Sequence, residues 1–433
     1  MGYYKSKLKN KIETFLLSKG LCIKDIDYPN SLFINLEPGN YKIIWESKYK
    51  KIKDLKKLEG NYEVESGYYI YKGDKVISSE HITFDISEHR DFSIKKLLKK
   101  MKTILVTGGA GYIGTHTIAE LLKDDNYNVI ILDNFCNSNP LILNRLKKVT
   151  NKSVKIYDRD CRANLDDIFK DNKIDGVIHF AALKSVGESV DNPLLYYDNN
   201  INSLINLLYT CEKFDVNKFI FSSSCSLYGD VDKLPVSEST PIKYPKSPYA
   251  NTKLVGENVI KDFCQKNKDF SAISLRYFNP VGAHDSGLIG ESPINKPNNI
   301  LPVICNSVEN DEIVNIFGGD YKTRDGTCIR DYIHVSDIST AHCLAMDYIF
   351  DNKISYDVFN LGSDEGYSVL ELIVAFQEEN DLKVNYKIVD RRPGDVVEIY
   401  SNSRKANKKL NWSPIKTIDD IVSSAWKWHQ NKL

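Results

Sequence analysis

The chain has 433 residues, 42% hydrophobic and 27% charged, ordinary values for a globular protein with a sizeable core and two or three domains. Net charge is zero but unevenly spread: residues 1–100 carry 20 Lys+Arg and 14 Asp+Glu, a balance of +6 that the remainder cancels. There is no apolar run of about 18 residues to span a bilayer and no short apolar secretory core, and nine scattered cysteines without a CxxC pair fit free thiols in a reducing compartment, the cytoplasm, rather than disulfides or a zinc site.

The basic front reads as a solvated, Lys-rich surface. An amphipathic helix is expected over Lys5–Ser18. Strand-like runs follow at Ser31–Leu36, Tyr41–Glu46, Gly67–Tyr71 and Lys75–Ile86, divided by the turn signals Glu37-Pro38-Gly39-Asn40 and Lys72-Gly73-Asp74. This predicts a small α+β extension over 1–100, with Ser93–Lys100 as a basic helical connector. It holds no recognisable chemistry, so an interaction or targeting role is expected. Met1-Gly2-Tyr3-Tyr4-Lys5-Ser6 meets a loose myristoylation pattern, which two bulky tyrosines after the glycine disfavour.

From Met101 the pattern becomes strand, turn, helix, strand. Strands are predicted at Thr103–Thr107, Val129–Leu132, Val154–Tyr157, Gly176–Phe180, Lys218–Ser222 and Ala272–Arg276, with helices such as Tyr112–Lys123 and Leu204–Phe214 between them. Several strands are continuous apolar runs, as in a parallel sheet covered on both faces. The fold class is therefore α/β, a doubly wound parallel sheet of Rossmann type over 101–279. Beyond about Asn279 the rhythm breaks into loops and shorter elements, ending in a helix near Ile418–Gln430. This predicts a smaller substrate domain over 280–433, with some segments returning to the sheet.

The first strand of the sheet runs into Thr107-Gly108-Gly109-Ala110-Gly111-Tyr112-Ile113-Gly114. Gly108, Gly111 and Gly114 permit a tight turn, approach of backbone to a pyrophosphate, and close packing of helix on strand. The helix N-terminus supplies N–H groups for phosphate. Asp133 closes the next strand, where a carboxylate can accept from a ribose diol and repels a 2′-phosphate. No Arg follows in Asn134–Ser138, so NAD is favoured over NADP.

In Ser247-Pro248-Tyr249-Ala250-Asn251-Thr252-Lys253, Ser247 suits an N-cap and Pro248 the first helical position. Tyr249 and Lys253 then share one helix face. A neighbouring ammonium and a positive nicotinamide ring should lower the phenol pKa and make Tyr249 a general base. Phe219–Ser224 reads as a buried strand ending in hydroxyls. Ser224 is placed to bond the reacting oxygen and relay its proton to Tyr249, whereas Ser223 reads as a strand end.

These motifs together resemble the extended short-chain dehydrogenase/reductase family, and within it the UDP-glucose 4-epimerases. The resemblance runs from about Met101 to the C-terminus on TGGAGYIGTHT, ILDNFCNS, HFAALKSVGESV, YYDNN, FIFSSSCSLYGD, SPYANTK, LRYFNPVGAH, PNNILP, DGTCIRDYIHVSD and RRPGD. It implies Tyr249 as base, Ser224 as its hydroxyl partner and Lys253 as the group that tunes the phenol. It implies an NAD site with Tyr112 and Ile113 at the pyrophosphate, Asp133, Asn134, Asn137 and Ser138 at the adenosine ribose, and Asp160 and Cys161 at the adenine. Phe180, Ala181, Ala182, Lys184, Asn199 and Phe278 complete that site; relatives often have Gly where Ala182 stands. Asn279, Asn299, Ile300, Phe317, Arg330, Arg392 and Asp395 would hold the UDP-sugar, with Ile399 at the sugar's C2. No metal is implied.

The implied reaction is interconversion of UDP-glucose and UDP-galactose through a 4-keto sugar, within a homodimer joined through helices around Asn199–Phe214 and from Pro248 onward. Rival readings are a 4-epimerase of another UDP-sugar, a sugar-nucleotide dehydratase or decarboxylase, and a non-catalytic NAD-binding regulator. Eliminating relatives place an acid shortly after the serine strand; Cys225 and Ser226 stand there. A regulator would be expected to lose Tyr249 or Lys253.

Overall fold

The computed structural model describes three strands within residues 1–100, and residues 101–432 except 124, 125, 295, 296, 298, 393 and 394. The expected helix Lys5–Ser18, strand Ser31–Leu36 and connector Ser93–Lys100 lie outside the described residues. The chain divides into two compact units, Met1–Lys99 and Lys100–Leu433. In the first, β1 (Tyr41–Ser47), β2 (Glu63–Lys72) and β3 (Lys75–Asp85) form an antiparallel meander, pairing Ile43 with Ile70 and Val64 with Phe84.

The second unit is built on β4 (Lys102–Thr107), β5 (Tyr127–Asp133), β6 (Lys155–Asp158), β7 (Gly176–His179), β8 (Lys218–Ser224) and β9 (Ser271–Tyr277). The six predicted strands thus form, with ends moved by no more than a few residues. The chain then passes through β10 (Asn279–Val281), β11 (Val314–Phe317), β12 (Ile329–Arg330) and β13 (Tyr332–His334). It returns to the sheet as β14 (Tyr356–Leu361), paired along β9 from Tyr356↔Ala272 to Leu361↔Tyr277. Among the described residues this makes a seven-stranded sheet, order β14-β9-β8-β7-β4-β5-β6, with every pair parallel.

Alternation explains the apolar runs. Ile104 and Val106 of β4 join one core with Ile118, Ile131, Ile178 and Ile220, while Leu105 faces the other with Ile130, Val177, Phe219 and Leu207. Both faces are buried, so no polar face is needed. Strand order reverses between β4 and β7, and the carboxyl ends of these two strands open the crevice where such sheets bind ligands.

Shorter elements complete the unit. β10 pairs with β13, β11 with β16 (Tyr386–Val389), and β12 lies between β15 (Tyr367–Ser368) and β17 (Glu398–Ile399). Helices Ile300–Glu309, Val369–Asn380 and Ile418–Asn431 pack around Leu301, Ile316, Leu372, Phe376 and Val422. Capping boxes start the last two, Ser368 with Glu371 and Thr417 with Asp420. Among the described residues no helix is long and apolar enough to cross a membrane.

Candidate active site

β4 hands over to the helix Tyr112–Leu121 through the glycine turn. Gly108 has φ +68, and a Cβ there would lie 2.7 Å from the Ala181 nitrogen at the end of β7. A Cβ on Gly114 would lie 2.4 Å from the Gly108 carbonyl oxygen. Both positions need glycine for space, Gly108 also for its backbone. Gly111 is the N-cap and makes no side-chain cap bond, so the first turn's N–H groups face the cleft as an anion cradle. This fits the diphosphate of a dinucleotide.

Asp133 is nearly buried, and its carboxylate already serves the protein. One oxygen accepts from the Ala110 N–H at 2.9 Å; the other accepts from Phe135 N–H and the Ser138 hydroxyl. It holds the glycine turn to the next loop, a task the sequence did not reveal. Asp160 accepts from Arg162 and Asn134, and the Arg162 hydrogen bonds hold its carboxyl down at about 2. Burial pushes the Cys161 thiol up to about 12, which keeps it inert. No disulfide forms among the eight cysteines of the described residues.

The helix Pro248–Lys266 starts as its sequence predicts: the Ser247 hydroxyl accepts from Ala250 N–H, and Pro248 occupies the first turn. Tyr249 and Lys253 face β8, where Ser224 acts on the phenol and lowers its pKa. The Ser224 oxygen accepts from the Ser226 N–H and hydroxyl at 3.2 and 2.9 Å, which frees its own proton to point at the phenol. Burial pushes Tyr249 up to about 12, opposed by the Ser224 hydrogen bond. Lys253 donates instead to the Ser222 carbonyl at 2.7 Å and stands 5.9 Å from the Tyr249 ring centroid. Burial lowers the ammonium itself to about 7.

One cleft of about 390 Å³ takes in the glycine turn, Asp133, Asn134, Asn137, Ser138, Asp160, Cys161, Phe180–Ala182, Lys184, Asn199, Ser224, Tyr249, Lys253 and Phe278. Asn279, Asn299 and Ile300 line the same cleft. Lys184 and Asn299 are joined across it by Glu291, whose carboxylate accepts from both at 2.8 and 2.6 Å. Phe317, Arg330, Arg392 and Asp395 gather in a second group outside that lining. Asp395 lies 2.9 Å from Arg392 and 3.6 Å from Arg330, and the Arg392 guanidinium covers the Phe317 ring at 5.5 Å. Two forked cations beside an exposed ring suit a nucleoside diphosphate.

Ile399 is 5% exposed, sits in a core with Cys225, Tyr228, Val236 and Phe278, and lies beside Arg330 in strand register. It is not a wall of the cleft. It shares its core with Phe278, which does line the cleft.

A family model described as GDP-mannose 4,6 dehydratase matches residues 105–425. A UDP-glucose 4-epimerase of Pasteurella multocida (strain Pm70) is 45% identical over 330 residues, 76% of this chain and 97% of that protein. The UDP-glucose 4-epimerase uge1 of Schizosaccharomyces pombe is 45% identical over 335 residues, 76% of this chain and 94% of its own. The crystal structure of UDP-glucose 4-epimerase from Bifidobacterium longum in complex with NAD+ and UDP matches with a TM-score of 0.74 at 44% identity, covering 76% of this chain and 98% of that one. The chain belongs to the UDP-glucose 4-epimerase family.

Within this epimerase framework the sequence left one group of residues unread. Glu257 follows Lys253 by one helical turn, is buried, and binds Arg276 of β9 through both carboxylate oxygens at 2.9 and 2.6 Å. The Ser223 hydroxyl donates to the same carboxylate at 2.5 Å. The signal was present as a carboxylate at i+4 from the lysine, but an acid on a helix is more often solvated.

Proposed function

We propose that the chain is an NAD-dependent UDP-glucose 4-epimerase, an isomerase that interconverts UDP-glucose and UDP-galactose through a 4-keto sugar. The observation that carries this reading is the meeting of an anion-binding glycine turn with Tyr249, Ser224 and Lys253 in one cleft at the carboxyl end of the parallel sheet. Relatives that share the chain over nearly their whole length are named UDP-glucose 4-epimerases, and one such structure holds NAD+ and UDP. NAD, when bound, supplies a hydride acceptor and donor at the sugar's C4, and a positive ring near the phenol.

Tyr249 takes the C4 hydroxyl proton, with Ser224 bridging to the reacting oxygen. Lys253, while protonated, provides positive charge behind the phenol and a donor toward the nicotinamide ribose. Arg330 and Arg392 hold the diphosphate, which leaves the sugar ring free to present either face to the same base. The positions after Ser224 are Cys225 and Ser226, so the extra acid that elimination requires is not supplied there. We further infer that residues 102–433 are a self-sufficient catalytic unit, that the enzyme is a homodimer, and that it works in the cytoplasm, where free thiols stay reduced. Purified protein is incubated separately with UDP-glucose, UDP-galactose, UDP-N-acetylglucosamine and a UDP-pentose, and products are resolved by chromatography. Interconversion of the first two, without accumulation of reduced cofactor, is expected; a 4,6-dehydrated product or no turnover overturns the reading.

A further inference from the structure

Behind the proposed catalytic residues lies a polar network joining five elements. Asn360 of β14 accepts from the Tyr228 hydroxyl at 2.7 Å, and Tyr228 accepts from Arg276 at 2.8 Å. Arg276 closes on Glu257, which takes the Ser223 hydroxyl. The ion pair is almost fully buried, each side chain 6% exposed, and its hydrogen bonds are well distributed. Apolar residues of similar volume would serve stability at least as well as such a pair. Its position suggests a different use. Ser223 lies between Ser222, whose carbonyl receives Lys253, and Ser224, which bonds Tyr249. Glu257 lies on the same helix as Tyr249 and Lys253.

We propose that Glu257, clamped by Arg276, is a positioning residue that ties the helix carrying Tyr249 and Lys253 to the strand carrying Ser224. This rests on the epimerase reading above. The carboxylate pulls Ser223 to one side of β8, which sets where the Ser222 carbonyl and the Ser224 hydroxyl point. It also provides a negative charge near the buried ammonium.

The other groups around Lys253 do not carry charge near neutrality. Burial holds His179 of β7 neutral, down at about 3, and pushes Tyr277 of β9 well above its usual range. It pushes Cys225 and Tyr228, in the turn after β8, up to about 12, as it does Tyr249 on the helix itself. Glu257 and its partner Arg276 remain, and Glu257 is the group that raises Lys253 against the effect of burial. Removing its charge must lower the lysine further, so the ammonium is lost at a lower pH.

The test compares wild type, Ser223→Ala and Glu257→Gln, each with NAD loaded, for kcat, KM, pH profile and thermal midpoint. Ser223→Ala leaves the ion pair intact and so keeps the fold. Its kcat is expected to fall about tenfold or more with KM little changed, the size of effect that small misplacement of reacting groups produces. Glu257→Gln is expected to move the alkaline limit of kcat down by about one pH unit, and Glu257→Asp to restore it in part. Folded variants with wild-type kcat and pH limits would overturn the proposal and leave the pair a purely structural one. An inactive wild type would instead overturn the epimerase reading, and this proposal with it.

Discussion

Lys253 and Tyr249 stand one helical turn apart, yet the ammonium is bonded to the Ser222 carbonyl at 2.7 Å and not to the phenol. The lysine therefore influences the phenol only through space. Among the described residues Ser224 is the group that lowers the phenol's pKa. Tyr249→Phe keeps this packing and removes the proton acceptor. It is expected to lower kcat by about 10²–10⁴ while NAD remains bound, read by steady-state rates and by cofactor released on denaturation. Near-normal turnover would remove Tyr249 from its role.

Acid should weaken the fold before it attacks the chemistry. Burial pushes His116 and His179 down to about 3, and His334 and His342 to about 4. Unfolded histidines titrate near 6.5, so between that value and 4 the unfolded chain binds more protons. Stability is fully present above pH 6.5 and is lost as pH falls, with a limiting slope of about 1.4 kcal/mol per pH unit for each such histidine. Urea midpoints at pH 7, 6 and 5 check this; a flat series would contradict it.

The extension should be dispensable for turnover. Every proposed site residue lies beyond Met101, and the compact unit that holds them begins at Lys100. Residues 102–433, expressed alone, are expected to show wild-type kcat/KM within about twofold, because no catalytic contact is removed. Folded but inactive truncated protein would assign the first hundred residues a part in the reaction or in assembly.

Apolar side chains stand exposed near the proposed dimer seam: Leu194 is 81% exposed, Tyr209 67% and Val190 58%, on the helices Pro193–Tyr197, Ser203–Lys213 and Val186–Asp191. Exposed apolar side chains of this size are expected to be covered if the dimer forms there. Light scattering should report twice the 49.4 kDa chain, and Leu194→Glu should shift it toward monomer. A wild-type monomer at micromolar concentration would refute the seam.

Selectivity at C2 should be governed from behind the cleft wall. Ile399 shares a core with Phe278, which lines the cleft, so its bulk should limit how far that ring can retreat from a larger C2 substituent. β-Branching also denies it an alternative rotamer. A strong preference for UDP-glucose over UDP-N-acetylglucosamine is expected, about tenfold or greater, and Ile399→Ser should narrow it. Equal kcat/KM for both sugars in wild type would exclude Ile399 as a selector.

Glycine positions and helical spacing made half the site legible. Gly108 and Gly114 are dictated by backbone geometry, and Tyr249 with Lys253 by a 3.6-residue period, so local rules place both. Asp133, Glu257 and Ile399 obey tertiary partners instead. Their neighbours are Ala110, Arg276 and Phe278, far away in sequence, and no local pattern announces such pairs. Charge proximity around Tyr249 can be read from spacing, but the depth of burial that pushes its phenol up to about 12 cannot. β14 escaped because Tyr356–Leu361 is a short edge strand after a long helix, paired to β9 alone.

That late strand has a consequence for biosynthesis. A ribosome that has released residues through Tyr277 has made every other strand of the large sheet, but β9 still presents an open edge. Its backbone donors and acceptors stay unpaired until Leu361 emerges, over eighty residues later. Exposed edges invite pairing with other chains. Nascent chains that pause in this interval are the ones that should need a chaperone, and a gene split near residue 279 should yield an aggregating first fragment rather than a soluble nucleotide-binding half.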